Sequence, residues 1–197
     1  MSADFSPHMI PAEVALLSTF VPKDGTCLEF GSGGSTQFFL EKGIGKLYSV
    51  DSDRAWLEKL FENPAVRIFH KHGRWVPLYA DIGHTEDWGA PAIHVPSIIW
   101  LNYHQHIWSH IHENAFDLIL VDGRFRVACL LQCLLRCSNE KAVILMHDFW
   151  NRPHYHEVLD FLDVLEKADS LGVFKPKKNL DWQKLGILLQ ERQFDWR

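Results

Sequence analysis

Apolar and polar positions along this chain switch repeatedly between two periods, and the switches mark an alternation of strands and helices. Pro11 opens a helical pattern in which Val14, Leu16, Leu17 and Phe20 supply the apolar face, and Pro22-Lys-Asp-Gly25 ends it. Thr26–Phe30 reads as the first strand, Ser35–Glu41 as a helix stopping near Gly43, Lys46–Val50 as the second strand, and Ala55–Asn63 as a helix halted by Pro64. Val66–His70 reads as a third strand. From Lys71 to Asn114 regularity fades, with only a short helical pattern around Tyr103–His112, so 71–114 is expected to be an inserted, lid-like segment. Phe116–Val121 is a nearly unbroken apolar run, as a central parallel strand covered on both faces requires. Val127–Arg136 follows as a helix, Ala142–Met146 as a buried strand and Pro153–Asp160 as a short helix. Phe161–Phe174 and Leu185–Gln190 read as two closing strands. The whole is an α/β pattern: one domain, 1–197, with a mostly parallel sheet and helices on both faces.

Composition narrows the partners. The chain has 197 residues, 47% hydrophobic and 23% charged, enough for a core of its own. Its formal net charge is −5 and no basic cluster occurs, so there is no electrostatic footprint for a nucleic-acid partner. No apolar run has the length of a membrane span, and no basic stretch followed by an apolar run opens the sequence as a secretion leader would. A cytoplasmic protein without a membrane partner is expected; the oligomeric state is not legible. Cys129, Cys133 and Cys137 recur every fourth residue, which stacks them on one helix face, free and packed rather than bridged.

The chemistry concentrates after the first strand, in Cys27-Leu-Glu-Phe-Gly-Ser-Gly-Gly-Ser-Thr36. A glycine-rich turn between a strand and a helix lies where open α/β sheets bind ligands. A phosphate-binding P-loop would need a lysine at the helix start, yet the nearest, Lys42, stands at the far end. A dinucleotide fingerprint would want a small residue where Thr36 stands, and Glu29 would repel a pyrophosphate while suiting a cationic ligand. Asp51 follows at the end of the second strand, where an ionised carboxylate can accept hydrogen bonds from a vicinal diol. The competing structural account is that Glu29 caps the following helix and Asp51 the one after it; Asp53 is the better candidate for a pure cap.

Glu29-x-Gly31-x-Gly33-Gly34 resembles the first motif of the class I S-adenosylmethionine-dependent methyltransferases, and Asp51 matches that family's ribose-binding acid. Leu118-Ile-Leu-Val-Asp122-Gly-Arg-Phe-Arg126, Met146-His147-Asp148-Phe-Trp150, Tyr79-Ala-Asp81-Ile-Gly83 and Asp87-Trp-Gly-Ala-Pro91 resemble segments of bacterial methyltransferase-like proteins of undefined substrate. The resemblance runs from about Pro11 to Gln190. It implies a Rossmann-like, doubly wound sheet of order 3-2-1-4-5-7-6 with an antiparallel last strand. It also implies S-adenosyl-L-methionine as cofactor, held by Glu29, Gly31, Ser32, Gly33, Gly34, Ser35 and Asp51. Asp81 and Ile82 would lie at the adenine and Asp122 toward the methyl end.

Methyl transfer needs alignment of a nucleophile and, for an alcohol or phenol, removal of its proton. Asp122, His147 and Asp148 end the fourth and fifth strands, and His147 is the candidate general base. Asp122 and Asp148 also match acidic Mg²⁺ ligands of catechol-type relatives, but Phe149 stands where a further oxygen ligand is expected, so no metal set is complete. Arg124 and Arg126 either clamp an anionic acceptor or pair with Asp122 and Asp148 to fix the loop. His106 and His110 share a helix face without a third zinc ligand, and His104, His106, His110 and His112 read as a polar face over the site. The leading expectation is O-methylation of a small molecule. A non-catalytic cofactor-binding module and a NAD-dependent oxidoreductase are the alternatives.

Overall fold

A computed structural model describes residues 6–197. Residues 1–5, the start of the expected domain and part of the stretch read for a leader, lie outside the described residues. Among the described residues seven strands form one sheet: β1 (Thr26–Phe30), β2 (Lys46–Asp51), β3 (Trp75–Tyr79), β4 (Leu118–Val121), β5 (Val143–Met146), β6 (Leu162–Ala168) and β7 (Leu171–Pro176). Their order is β3-β2-β1-β4-β5-β7-β6. The first five are mutually parallel, and β7 runs antiparallel to both β5 and β6. This is the order, with its reversed last strand, that the resemblance implies.

Among the described residues seven α-helices flank the sheet: α1 (Pro11–Phe20), α2 (Gly34–Glu41), α3 (Arg54–Glu62), α4 (Pro64–Lys71), α5 (Leu101–His104), α6 (Arg126–Arg136) and α7 (Trp182–Arg192). Strand alternation sends successive side chains to opposite layers. Leu28, Phe30, Ile119 and Val121 face the layer holding Tyr103, α6 and the α7 leucines Leu185 and Leu188. Cys27, Leu118 and Leu120 face the layer holding Leu17 of α1, Phe39 and Leu40 of α2, Leu57 and Leu60 of α3 and Val66 of α4. Both faces of the central strands are therefore dry, and their carboxyl ends are left as the place for polar groups. All four cysteines are free, with Cys27, Cys129 and Cys133 buried.

Three sequence expectations are corrected. Val66–His70 is not the third strand but the body of α4: Pro64 ends α3 and at once begins α4, whose first turn is capped by the Asn63 side chain accepting from Ala65 N. The third strand is Trp75–Tyr79, concealed by Pro77, which an edge strand tolerates because a missing N–H can face away from the sheet. Phe161–Phe174 is a hairpin rather than one strand, since Ala168 pairs with Leu171 across a two-residue turn in which Asp169 has φ 46°. Leu185–Gln190 is helical, started by Asp181 accepting from Lys184 N, with Leu185 and Leu188 inward and Ile187 exposed.

The 71–114 stretch is likewise only partly an insertion. Trp75 is a sheet residue, and Trp100, Tyr103, Ile107 and Trp108 belong to the core. His104 is buried, not part of a polar face: its Nε2 pairs with Gln193 O, and burial pushes its pKa down to about 4. His106, His110 and His112 are exposed.

Candidate functional site

At the carboxyl ends of β1, β2 and β4 lies a cavity of about 1040 Å³. That is at the upper end of the roughly 300–1,000 Å³ usual for small-molecule sites. The loop Gly31–Ser35 forms one wall and Asp51–Trp56 the next. Gly83–Gly89 and the segment Ser6–Met9 cover it, with His8 and Trp88 ring centroids 5.2 Å apart. Tyr103 and Asp122–Arg124 close the β4 side.

The backbones of the first and fourth strand ends touch. Gly31 has φ 93°, and a Cβ there would lie 2.7 Å from Gly123 N and Cα. A Cβ on Gly123 would meet the Tyr103 hydroxyl and lie 2.8 Å from Gly31 N. Only paired glycines allow this closure, and it leaves a bare main-chain surface for a ligand.

Asp51, 8% exposed, lines the cavity. Its Oδ2 accepts from Ser32 N at 2.9 Å and Ser32 Oγ at 2.8 Å, and its Oδ1 from Asp53 N at 2.9 Å. Burial raises its pKa, against the lowering effect of those bonds. Asp53 caps α3 by accepting from Trp56 N, and the Trp56 indole donates to Ser32 O, bracing the glycine loop from beneath. Gly89 closes on the same corner, where Ser52 Oγ donates to its carbonyl.

Glu29 does not face the cavity, which corrects its assignment as a direct cofactor contact. It is fully buried, and its carboxylate accepts from Ser35 Oγ at 2.9 Å, Ser49 Oγ at 2.6 Å and Thr36 Oγ1. Burial pushes its pKa up to about 7 although all these hydroxyls pull it down. Glu29 thus ties β1, β2 and the start of α2 together from inside and shapes the loop. Gly31, Ser32, Gly33, Gly34 and Ser35 do line the cavity. Asp81 and Ile82 do not: Asp81 is exposed and accepts from Gly83 N, while Ile82 is 2% exposed in the core. The chain turns immediately after β3, so Tyr79 and the later Gly83–Gly89 loop occupy the wall instead.

Of the expected catalytic residues, only Asp122 lines the cavity. His147 Nδ1 lies 3.0 Å from Asp122 Oδ1, and its Nε2 lies 3.3 Å from Glu13 Oε2. Burial disfavours the charged ring, but Asp122, Asp148 and Glu13 outweigh it and raise the His147 pKa. His147 does not itself line the cavity; it stands behind Asp122, clamped between two carboxylates, rather than at the wall as expected. Glu13, which sequence reading missed, is 2% exposed; it also accepts from Ile10 N, Ser170 N and Leu171 N. Burial alone would raise its pKa, yet the Ser170 hydroxyl, which also donates to it, Ile10 N and His147 hold it low. An acidic residue in the first turn of a helix reads as a dipole complement, so nothing in the sequence singles it out.

Asp148, at φ 55°, is held by Arg126 at 3.2 Å and Arg152 at 2.7 Å. Arg126 is 3% exposed; it donates to Gly123 O, Asp122 O and His147 O and bridges the carboxylates of Asp122 and Asp148. It is a loop staple, and its assignment to substrate is corrected accordingly. Arg124 remains on the cavity wall. Asp122, His147 and Asp148 bring ligand atoms within 4.8 Å of one another. The Arg126 guanidinium already bridges the two carboxylates, and the surrounding carboxylates raise the His147 pKa, which works against its neutral, metal-ligating form, so the set does not fit Mg²⁺.

No protein-family model matches the chain, and no curated protein matches it in sequence. Solved structures do. A methyltransferase-like protein from Silicibacter pomeroyi is 28% identical with a TM-score of 0.77, over 96% of this chain and 97% of that one. A ribosomal protein L11 methylase from Lactobacillus delbrueckii subsp. bulgaricus is 14% identical, TM-score 0.52, over 83% of this chain and 77% of its own. A functionally unknown protein from Deinococcus radiodurans is 16% identical, TM-score 0.50, over 91% and 72%. The last two speak for the fold alone. By strand order and full-length likeness, the chain has the class I methyltransferase fold and is similar to a bacterial methyltransferase-like protein.

Proposed function

We propose that this chain is an S-adenosylmethionine-dependent methyltransferase acting on a small-molecule acceptor, with oxygen as the methylated atom. The observation that carries the reading is Asp51: a carboxylate at the tip of β2, fixed by Ser32 and Asp53, on the wall of a cavity whose adjacent edge is bare glycine backbone. A carboxylate offers about four acceptor sites. The protein fills three of them, and the Ser32 hydroxyl is the bond that can be exchanged for a ribose hydroxyl.

The residues present fit the cofactor. The closure of Gly31 on Gly123 leaves no side chain in the way. Gly34 and Ser35 open α2, whose first N–H groups suit a carboxylate. S-Adenosylmethionine, when bound, supplies a methyl group made electrophilic by its sulfonium. The chain's own part is alignment and proton handling. Asp122 is the acid that meets the cavity, and its carboxylate takes the proton of a hydroxyl acceptor. His147 and Arg126 are positioning residues that hold Asp122 from behind. The Ser6–Met9 and Gly83–Gly89 segments line the same cavity and shield part of it from solvent.

Calorimetric titration with S-adenosylhomocysteine and, separately, NAD tests this reading. Binding of the first with no heat from the second is expected, and Asp51→Ala should weaken it about tenfold or more, the loss of charge-assisted hydrogen bonds. A native protein that ignores S-adenosylhomocysteine would overturn the proposal.

A further inference from the structure

Three arginines surround the ends of β4 and β5, and their pairing is uneven. Arg126 lies 3.2 Å from both Asp122 and Asp148. Arg152 lies 2.7 Å from Asp148 and donates to the Tyr155 hydroxyl at 3.1 Å. Arg124 has no carboxylate. Its guanidinium makes no hydrogen bond or ion pair among the described residues, and its Nε is buried with no acceptor. The main chain beneath it is fixed, by Arg124 N donating to Tyr103 Oη at 3.3 Å and Cys129 Sγ donating to Arg124 O at 3.4 Å. The side chain therefore has a set origin on the cavity wall and an unfilled donor fork.

Electrostatics make the vacancy specific. Burial lowers the Arg124 pKa first, and the like charge of Arg126 and, more weakly, of Arg152 lowers it further. The Tyr103 and Tyr155 phenols pull the other way, and no carboxylate is among the main influences on it. A guanidinium so placed stays charged and lacks full hydration. An oxyanion arriving in the cavity would satisfy the fork bidentately and relieve the repulsion between arginines.

We infer that Arg124 is the anchor for an acidic methyl acceptor, whose carboxylate pairs with its guanidinium beside Asp122. This rests on the methyltransferase reading and names the substrate class within it. The other carboxylate that would enter the cavity is the cofactor's own. The start of α2, on the β1–β2 side, already offers main-chain donors for that group, whereas Arg124 belongs to the β4 side.

The test is calorimetry on the full chain saturated with S-adenosylhomocysteine, titrated with 4-hydroxybenzoate, 4-hydroxyphenylacetate and succinate, each beside its neutral amide. At least one acid should bind about tenfold more tightly than its amide, as expected for a charge-assisted pair. Arg124→Gln should erase that preference while S-adenosylhomocysteine affinity, which also reports an intact fold, moves by less than about twofold. Arg124→Lys, a charge without the fork, should fall between. Two outcomes would overturn the proposal. One is that every acid binds native protein no better than its amide. The other is that Arg124→Gln weakens S-adenosylhomocysteine but not methylthioadenosine, which lacks the carboxylate; the anion would then be the cofactor's. Failure of the native chain to bind S-adenosylhomocysteine would instead strike the methyltransferase reading itself.

Discussion

Glu13, in the first turn of α1, and His147, at the end of β5, meet at 3.3 Å across 134 positions of sequence. The contact joins the opening helix to the strand ends, because the other Glu13 oxygen receives Ser170 N and Leu171 N at the start of β7. Beyond His147 the chain of contacts continues to Asp122 on the cavity wall.

Removing Glu13 should therefore be felt by the whole fold. Glu13→Ala removes one of the two carboxylates that contact the His147 ring and strands the buried N–H groups of Ser170 and Leu171 and the part-buried one of Ile10. A loss of roughly 3–5 kcal/mol is expected, the range for breaking a buried pair by deleting one partner. Urea unfolding monitored by tryptophan fluorescence measures it.

Stability should fall as the solution is made more alkaline through neutrality. His147 has a folded pKa above 6.5, so its contribution is complete below 6.5 and disappears as pH rises through the raised value. Glu29, raised to about 7 from 4.5, acts in the same direction: its contribution is complete below 4.5 and lost on approaching 7 and above. Melting temperatures of Glu29→Gln should lack the decline between those two values, and those of His147→Gln the decline above 6.5. Parallel profiles for all three proteins would contradict both assignments.

Gly123→Ala and Gly186→Ala should part company. At 123 the new methyl meets Tyr103 and the Gly31 backbone, so S-adenosylhomocysteine binding should drop about tenfold or more and stability should fall by about 1–3 kcal/mol. Position 186 lies within α7 with nothing inside 4 Å, and alanine there should stabilise by about 0.5–1 kcal/mol. Thermal denaturation of both variants, with calorimetry for the first, checks the pair.

Arg126→Ala should behave as a folding defect and Arg124→Ala as a binding defect. Arg126 is buried on three carbonyls and two carboxylates. Its truncation is expected to destabilise by roughly 3–5 kcal/mol. Arg124 has no such partners, so its truncation should leave the unfolding midpoint nearly unchanged. Denaturant midpoints compare them directly.

The sequence by itself determined the sheet order's raw material and the location of the polar residues. Dry runs such as Leu118–Val121 must lie between two layers, and the acids that end such runs, Asp51 and Asp122, must emerge at the strand tips, where the cavity is. Those inferences need only local periodicity. What tertiary structure decided was direction and partnership. Glu29 and Asp51 look alike in sequence, each at the end of an apolar strand. Yet three hydroxyls from two elements turn the first into an internal tie, while the second keeps an edge on the cavity. His147 reads as a free base until Glu13 arrives from α1, and Arg124 and Arg126 are separable only once Asp148 has taken one of them. Val66–His70 and Leu185–Gln190 followed the same logic: short apolar runs fit either period, and the Asn63 and Asp181 caps with the packing layers chose helix. Periodicity constrains neighbours along the chain, whereas charge pairing and burial are settled between residues that sequence keeps far apart.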